Sequence, residues 1–294
     1  MRIWNFLKNN CIYILWAVIY ITLTWLLTGF HAEALPYILF IYGICITVAL
    51  SPLGEFILKY SEGVRKPATT QEREYLTDLY CEVYANAKEK YPKLSNRLEI
   101  HIIDAGYVNA FAMGSNTIAV TRGAMDTFDE DELCGVIAHE IGHIKNGDTK
   151  ALLISVVGNG LFTIVIMIAR IIMHIIAVIA SLFDNGNPVT FVLNIVIFLG
   201  RLMFDLANLV FVHLSQIILS INSQSNEYMA DKFAHEIGYG AELTQALYLL
   251  QKIAIPTNIP LLERLKASHP NLAKRIAALE KLQQQEAENE YIDN

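Results

Sequence analysis

Four long apolar runs, residues 11–30, 35–50, 151–183 and 189–221, decide most of what this chain can fold into. The first holds no charged residue over 20 positions. About 20 apolar residues in a helix are enough to cross the roughly 30 Å hydrocarbon core of a bilayer. Composition agrees, with 54% hydrophobic and only 17% charged residues, against about 25% charged in ordinary soluble domains. The mean hydropathy is +0.37. A secretory signal is the rival reading of the first run, since Arg2 and Lys8 precede it and Ala32-Glu33-Ala34 resembles a cleavage site. Its apolar core is too long, however, and the second run follows at once, so residues 1–58 are read as a transmembrane hairpin.

The flanking charges orient that hairpin. Arg2 and Lys8 lie before it, and Lys59, Arg65 and Lys66 lie after it, whereas the connecting loop has Glu33 and no Lys or Arg. The positive-inside rule places both ends in the cytoplasm. Residues 151–221 are a second hairpin, turning at Asp184-Asn185-Gly186-Asn187-Pro188. It carries Arg170, His174, Arg201, Asp205 and His213, which are costly in lipid and should face a partner or cavity. Arg170, Asp205 and Arg201 fall at similar depth in such a hairpin, and an internal cluster of the three is expected. The alternative is that this hairpin packs partly on the polar segments without crossing fully.

Residues 59–150 and 222–294 are polar enough to lie outside the membrane. A helix is expected over 71–90, short strands over 98–103, 108–113 and 117–121, and further helices over 241–253 and 271–285, with a frayed acidic tail. The fold class is mainly α with a small β-sheet (α+β). The net charge of −7 offers no basic footprint, which argues against nucleic acid. Four cysteines without C-x-x-C spacing read as buried, reduced thiols.

His139-Glu140-Ile141-Gly142-His143 carries the chemistry. Two histidines four residues apart share one face of a helix and can grip one metal ion, and the adjacent Glu140 can serve as a general base. The motif needs a helix, and the sequence supplies one. Asp129 is a good N-cap, Glu132 completes a capping box, and Leu133, Val136, Ile137, Ile141 and Ile144 form an apolar face. Catalytic zinc sites use three protein ligands, and nothing after His143 continues the motif with another histidine. Asn226-Glu227-Tyr228-Met229-Ala230-Asp231 offers Glu227 as third ligand, with Asp231 one turn later to accept a hydrogen bond from a ligating imidazole. By itself that segment suits solvated charges on a helix after a membrane span somewhat better.

Together these motifs resemble the HtpX-type membrane zinc metalloproteases, relatives of the CAAX prenyl endoproteases. The resemblance rests on the N-terminal hairpin, Asn109-Ala110-Phe111-Ala112-Met113-Gly114, the His139–His143 motif with Asn146-Gly147-Asp148, the E-x-x-x-D from Glu227 to Asp231, and Ser268-His269-Pro270 with Arg275-Ile276. It implies a cytoplasmic zincin-type domain that binds one Zn²⁺ per chain through His139, His143 and Glu227. Glu140 is then catalytic and Asp231 supports a ligand. It also places Asn109, Ala110, Phe111 and Ala112 along the substrate cleft, although Asn109 suits a turn equally well. His269 could stabilise an oxyanion, and Arg275 could do so instead or anchor the C-terminal helix. The chain departs from the family at Asn222-Ser223-Gln224-Ser225-Asn226, where arginines are usual.

The expected protein is a multi-pass endopeptidase of the bacterial plasma membrane, acting on membrane or membrane-proximal proteins in quality control. A silent zinc-binding scaffold and, less readily, a transporter are the rival readings. The topology has a direct check: a reporter fused at Asn185 should give a non-cytoplasmic signal, and a cytoplasmic one would show that the second hairpin does not cross.

Overall fold

The computed structural model describes residues 11–27, 29–114, 116–182, 188–253 and 272–293. It is mainly helical with one small mixed sheet. Two compact units share the chain, one built from Val48–Leu153 with Ser220–Asn294, the other from Ile12–Thr47 with Ile154–Leu219.

The second unit contains α1 (Cys11–Leu27), most of α2 (Ala34–Ala49), and much of two long helices, α7 (Asp148–Leu182) and α8 (Pro188–Glu236). Aromatic packing ties it together: Trp16 stacks on Phe211 at 5.1 Å, and Tyr20 meets Tyr42 at 5.4 Å beside Ile166. Among the described residues, two segments are long and apolar enough to cross a membrane, Thr163–Leu182 in α7 and Phe191–Leu214 in α8, and a third is if α2 and the helix Pro52–Ser61, bent from it by 67°, form one span. The described lengths of α1 and α2, 17 and 16 residues, give about 24–26 Å each, short of a full hydrocarbon core. Following α2, Ser51 caps α3 (Pro52–Ser61), whose Leu53, Phe56, Ile57 and Tyr60 are exposed.

Of the expected charged cluster, half forms. Arg170 Nε lies 3.0 Å from Asp205 Oδ1. Arg201 turns to the Met173 carbonyl and His174 Nδ1, each at 3.2 Å, because its side chain lies beside α7 at that height. The cluster is not internal either: Arg170 and Asp205 are about half exposed.

The first unit is a sheet backed by helices. Its strands β1 (Val64–Arg65), β2 (Glu99–Ile103), β3 (Ala110–Met113) and β4 (Thr117–Thr121) run in the order β1-β2-β4-β3. β4 pairs parallel with β2 and antiparallel with β3, which leaves β3 at an edge. Three strands match the sequence expectation, whereas β1 is only two residues and leaves no period to read.

Helix α4 (Thr70–Lys90) starts at a Thr69/Glu72 capping box. Its Leu76, Leu79, Val83 and Ala87 recur at helical spacing and are buried. They join Ile102, Ile118 and Val120 of the sheet in one core. That core also holds Leu133, Ile137 and Ile141 of α6 (Glu130–Asn146), Phe233 of α8, Leu243 of α9 (Gly240–Ile253), and Ile276 and Leu279 of α10 (Leu272–Asp293). The Glu72 carboxylate also pairs with Arg65 and Arg122, and both guanidiniums reach Asp104. These cations hold Glu72 well below the usual carboxylate range and join β1, the start of α4, the end of β2 and α5 (Arg122–Thr127).

The tail departs from expectation, since α10 continues to Asp293 as helix. So do the thiols: Cys134 is buried, but Cys11 and Cys81 are exposed. Helix α8 runs unbroken from Pro188 to Glu236 through the position where sequence composition changes near residue 222.

Candidate metal centre

Helix α6 begins as the sequence requires. The Asp129 side chain accepts from Glu132 N–H, the Glu132 side chain accepts from Asp129 N–H, and three acidic residues occupy the first turn. The helix ends at Gly147, whose φ of 83° suits a residue without Cβ. Asp148 then opens α7.

His139 and His143 project from one face of α6 and meet a residue from far along the chain. The imidazole Nε2 atoms are 3.1 Å apart, and the Glu227 carboxylate lies 3.4 Å from His139 Nε2 and 3.6 Å from His143 Nε2. All three ligand atoms lie within 4.8 Å of one another. Tetrahedral zinc with ligands at about 2.0–2.2 Å separates donor atoms by about 3.3–3.6 Å. The triangle therefore fits a metal ion of that size.

A close helix crossing produces this geometry. A Cβ on Gly142 would lie 3.0 Å from Ala230 Cα and 3.2 Å from its carbonyl oxygen. His139, Gly142 and His143 are spaced i, i+3, i+4 on α6, and Glu227, Ala230 and Asp231 repeat that spacing on α8. Each helix thus presents a small residue at the crossing between two polar ones.

Two further carboxylates set the imidazoles. His139 Nδ1 lies 2.9 Å from Asp231 Oδ1, and His143 Nδ1 lies 2.9 Å from Asp148 Oδ2. With both Nδ1–H groups donating outward, both Nε2 lone pairs face the same point. That arrangement is repulsive unless a cation sits between them. Arg275 donates to Asp231 through Nε at 2.8 Å and Nη2 at 2.5 Å, and its Nη1 lies 2.8 Å from Glu227. It is 5% exposed.

The charge balance points the same way. Four carboxylates (Glu140, Asp148, Glu227 and Asp231), all at most 7% exposed, stand against one guanidinium, a surplus of three negative charges. Burial would lower the affinity of His143 for protons, but Asp148, Glu227 and Glu140 outweigh it and push the imidazole up to about 10. Burial likewise opposes charge on Asp231, yet His139 and Arg275 hold its carboxyl below the usual range. Two imidazoles and a carboxylate converging among further buried carboxylates are a donor set that suits a divalent cation.

Glu140 stands apart from the donor triangle. Its Oε2 accepts from Ala112 N–H at 2.7 Å, at the outer edge of β3. Since Ala112 directs its N–H away from β4, Ala110 and Ala112 turn their backbone groups to the open edge, while Phe111 pairs with Ala119.

The structure thus brings together His139, Glu140, His143, Glu227, Asp231 and Ala112. Asn109 precedes β3, exposed, with its backbone tied to Thr121. His269 lies outside the described residues. Sequence reasoning left Asp148 without a role and Arg275 undecided. Asp148 had a readable signal, a carboxylate immediately after the helix-ending Gly147 and five residues beyond His143.

Residues 70–283 match the profile of peptidase family M48. The chain belongs to this family. It is similar to Protease HtpX of Chromohalobacter salexigens, 28% identical over 95% of this chain and 97% of that protein. It also resembles Protease HtpX of Hahella chejuensis, 31% identical over 77% of this chain and 79% of that one. Among solved structures, S. mikatae Ste24p shares the fold with a TM-score of 0.51 at 21% identity, covering 84% of this chain and 57% of that one. The chain is a membrane metalloprotease of family M48, a hydrolase.

Two substitutions test the centre. Asp148→Asn leaves His143 Nδ1–H a weaker acceptor and should lower zinc affinity about 10–100-fold, measured by competition with a chromogenic chelator. Gly142→Ala forces α8 away by a few tenths of an ångström and should weaken zinc binding about tenfold, as displaced supporting groups do. Unchanged affinity in that variant would show that the crossing does not set the ligand triangle.

Proposed function

We propose that the protein is a multi-pass, zinc-dependent endopeptidase whose site faces the cytoplasm and which cleaves membrane or membrane-proximal proteins in quality control. One observation carries the proposal: His139, His143 and the sequence-distant Glu227 converge on one point while Glu140 sits beside them at an open strand edge. The two imidazoles and one carboxylate would hold one Zn²⁺ per chain, with a remaining position open. When bound, zinc supplies Lewis acidity that makes water nucleophilic near neutral pH and polarises a carbonyl.

The chain's own residues do the rest. The Glu140 carboxylate takes the proton of the attacking water and passes it to the leaving nitrogen. A substrate in extended conformation lies along β3 as an added strand, hydrogen-bonded to the outward backbone groups of Ala110 and Ala112. Engaging the Ala112 N–H releases Glu140 from that contact and frees its carboxylate for the proton. Asp231 and Asp148 keep the imidazoles in the Nδ1–H tautomer, and Arg275 balances the charge of Asp231 and Glu227. Asn109, just before β3, and His269 remain part of the proposed cleft, the latter as an oxyanion donor. Multi-pass insertion and the positive charges flanking the first hairpin support a cytoplasmic site.

Glu140→Gln keeps the side-chain shape and an oxygen for Ala112 N–H but removes the base. Cleavage of a membrane-protein substrate in detergent with added zinc should fall by about 10²–10⁴-fold; equal cleavage by both forms would refute the assignment. Glu227→Ala should bring purified protein well below one zinc per chain, whereas unchanged stoichiometry would exclude Glu227 as a ligand.

A further inference from the structure

The second unit holds a cavity of about 380 Å³ between α7 and α8, lined by Met167, Arg170, Ile171, His174, Arg201 and Asp205. Two guanidiniums stand there against one carboxylate, a surplus of one positive charge. Asp205 is engaged by Arg170 at 3.0 Å. Arg201 contacts the Met173 carbonyl and His174 Nδ1, neither of which is anionic. Among the described residues, Arg201 has no carboxylate partner.

Depth narrows what can complete it. At 1.5 Å per residue, Arg170 lies about 18 Å from Leu182 and Arg201 about 20 Å from Pro188, the ends of α7 and α8 beside the connecting turn, against a hydrocarbon core of roughly 30 Å. The cavity therefore opens near the middle of the two spans. The surface around it is lipid-compatible, with Met167 and Ile171 about half exposed. An ionised group at that depth needs a partner or an aqueous cavity.

We propose that this cavity receives a transmembrane helix of a substrate protein, through an Asp or Glu side chain at mid-membrane depth that pairs with Arg201. The proposal rests on the reading of the chain as a protease of membrane proteins. Lipid phosphates lie at the ends of the spans, more than a helical turn away. A second copy of this chain brings the same positive surplus and leaves it unbalanced. A membrane-buried carboxylate supplies the missing charge at the right height. In an assembled membrane protein such a carboxylate is paired inside its own bundle, so an unpaired one marks a chain that has lost its partner.

The test reads contact without cleavage. A photo-crosslinker at Ile171 in the Glu140→Gln chain, in liposomes, is offered a single-pass Leu/Ala helix of about 20 residues carrying one central Asp or, as control, Leu. The Asp helix should give an adduct about fivefold or more above the Leu helix, the discrimination expected from roughly one net charge pairing. Arg201→Glu should transfer the preference to a helix with a central Arg, which a misfolded variant would not do. Equal adducts from the Asp and Leu helices, or adducts with the mass of a second copy or a lipid, would overturn the proposal. Selective crosslinking in a chain whose wild type cleaves nothing would sink only the protease reading, and cleavage without selective crosslinking would sink only this one.

Discussion

The crossing of α6 and α8 at Gly142 and Ala230 is the contact on which the metal centre depends. Helix backbones normally stand 8–10 Å apart with side chains between them. Here a glycine faces an alanine, so the flanking polar groups of both helices reach a common point instead of being held apart by bulk. The hydrophobic core fixes that crossing from behind. Ile137 and Ile141 of α6 and Phe233 of α8 belong to one buried cluster with α4, α9 and the sheet. The apolar faces are therefore what place the polar ones.

Burying four carboxylates with one guanidinium is unfavourable unless each is hydrogen-bonded and the charge is balanced. The structure hydrogen-bonds these groups in an ordered way, and a bound cation would supply most of the balance. Arg275 takes Asp231 and one oxygen of Glu227, the imidazole Nδ1 groups take Asp231 and Asp148, and a divalent cation at the donor triangle would remove most of the remaining charge. The groups around the ligands are thus part of the same electrostatic problem as the ligands. Glu140 belongs to the same charge balance but, among the described residues, directs its carboxylate to the Ala112 N–H at the sheet edge.

Much of the site was legible in sequence because its elements are strongly signalled. The capping box at Asp129 and Glu132 and the apolar positions of α6 gave the helix, and helical periodicity then gave the shared face of His139 and His143. The spacing from Glu227 to Asp231 gave a candidate ligand and a candidate supporting acceptor, although the segment alone could not separate this from an exposed charged face. Asp148 was overlooked because its contact depends on how the chain leaves Gly147, a backbone turn with no periodicity of its own. Arg201 was expected to join Asp205 on spacing along one helix, and it pairs with α7 instead because the neighbouring helix, not the local period, sets its surroundings.

By itself the sequence determined the mainly helical class with a small sheet, the apolar runs long enough to span a bilayer, and the face of α6 that His139 and His143 share. These are local or compositional properties, fixed by hydrophobic period, capping and length. Only the tertiary structure decided that Glu227 arrives within about 3.6 Å of both imidazoles, that Asp148 and Arg275 join it, and that β3 is an edge strand against Glu140. Such contacts join residues up to 136 positions apart, and their distances follow from how closely helix backbones can approach, which no local pattern encodes.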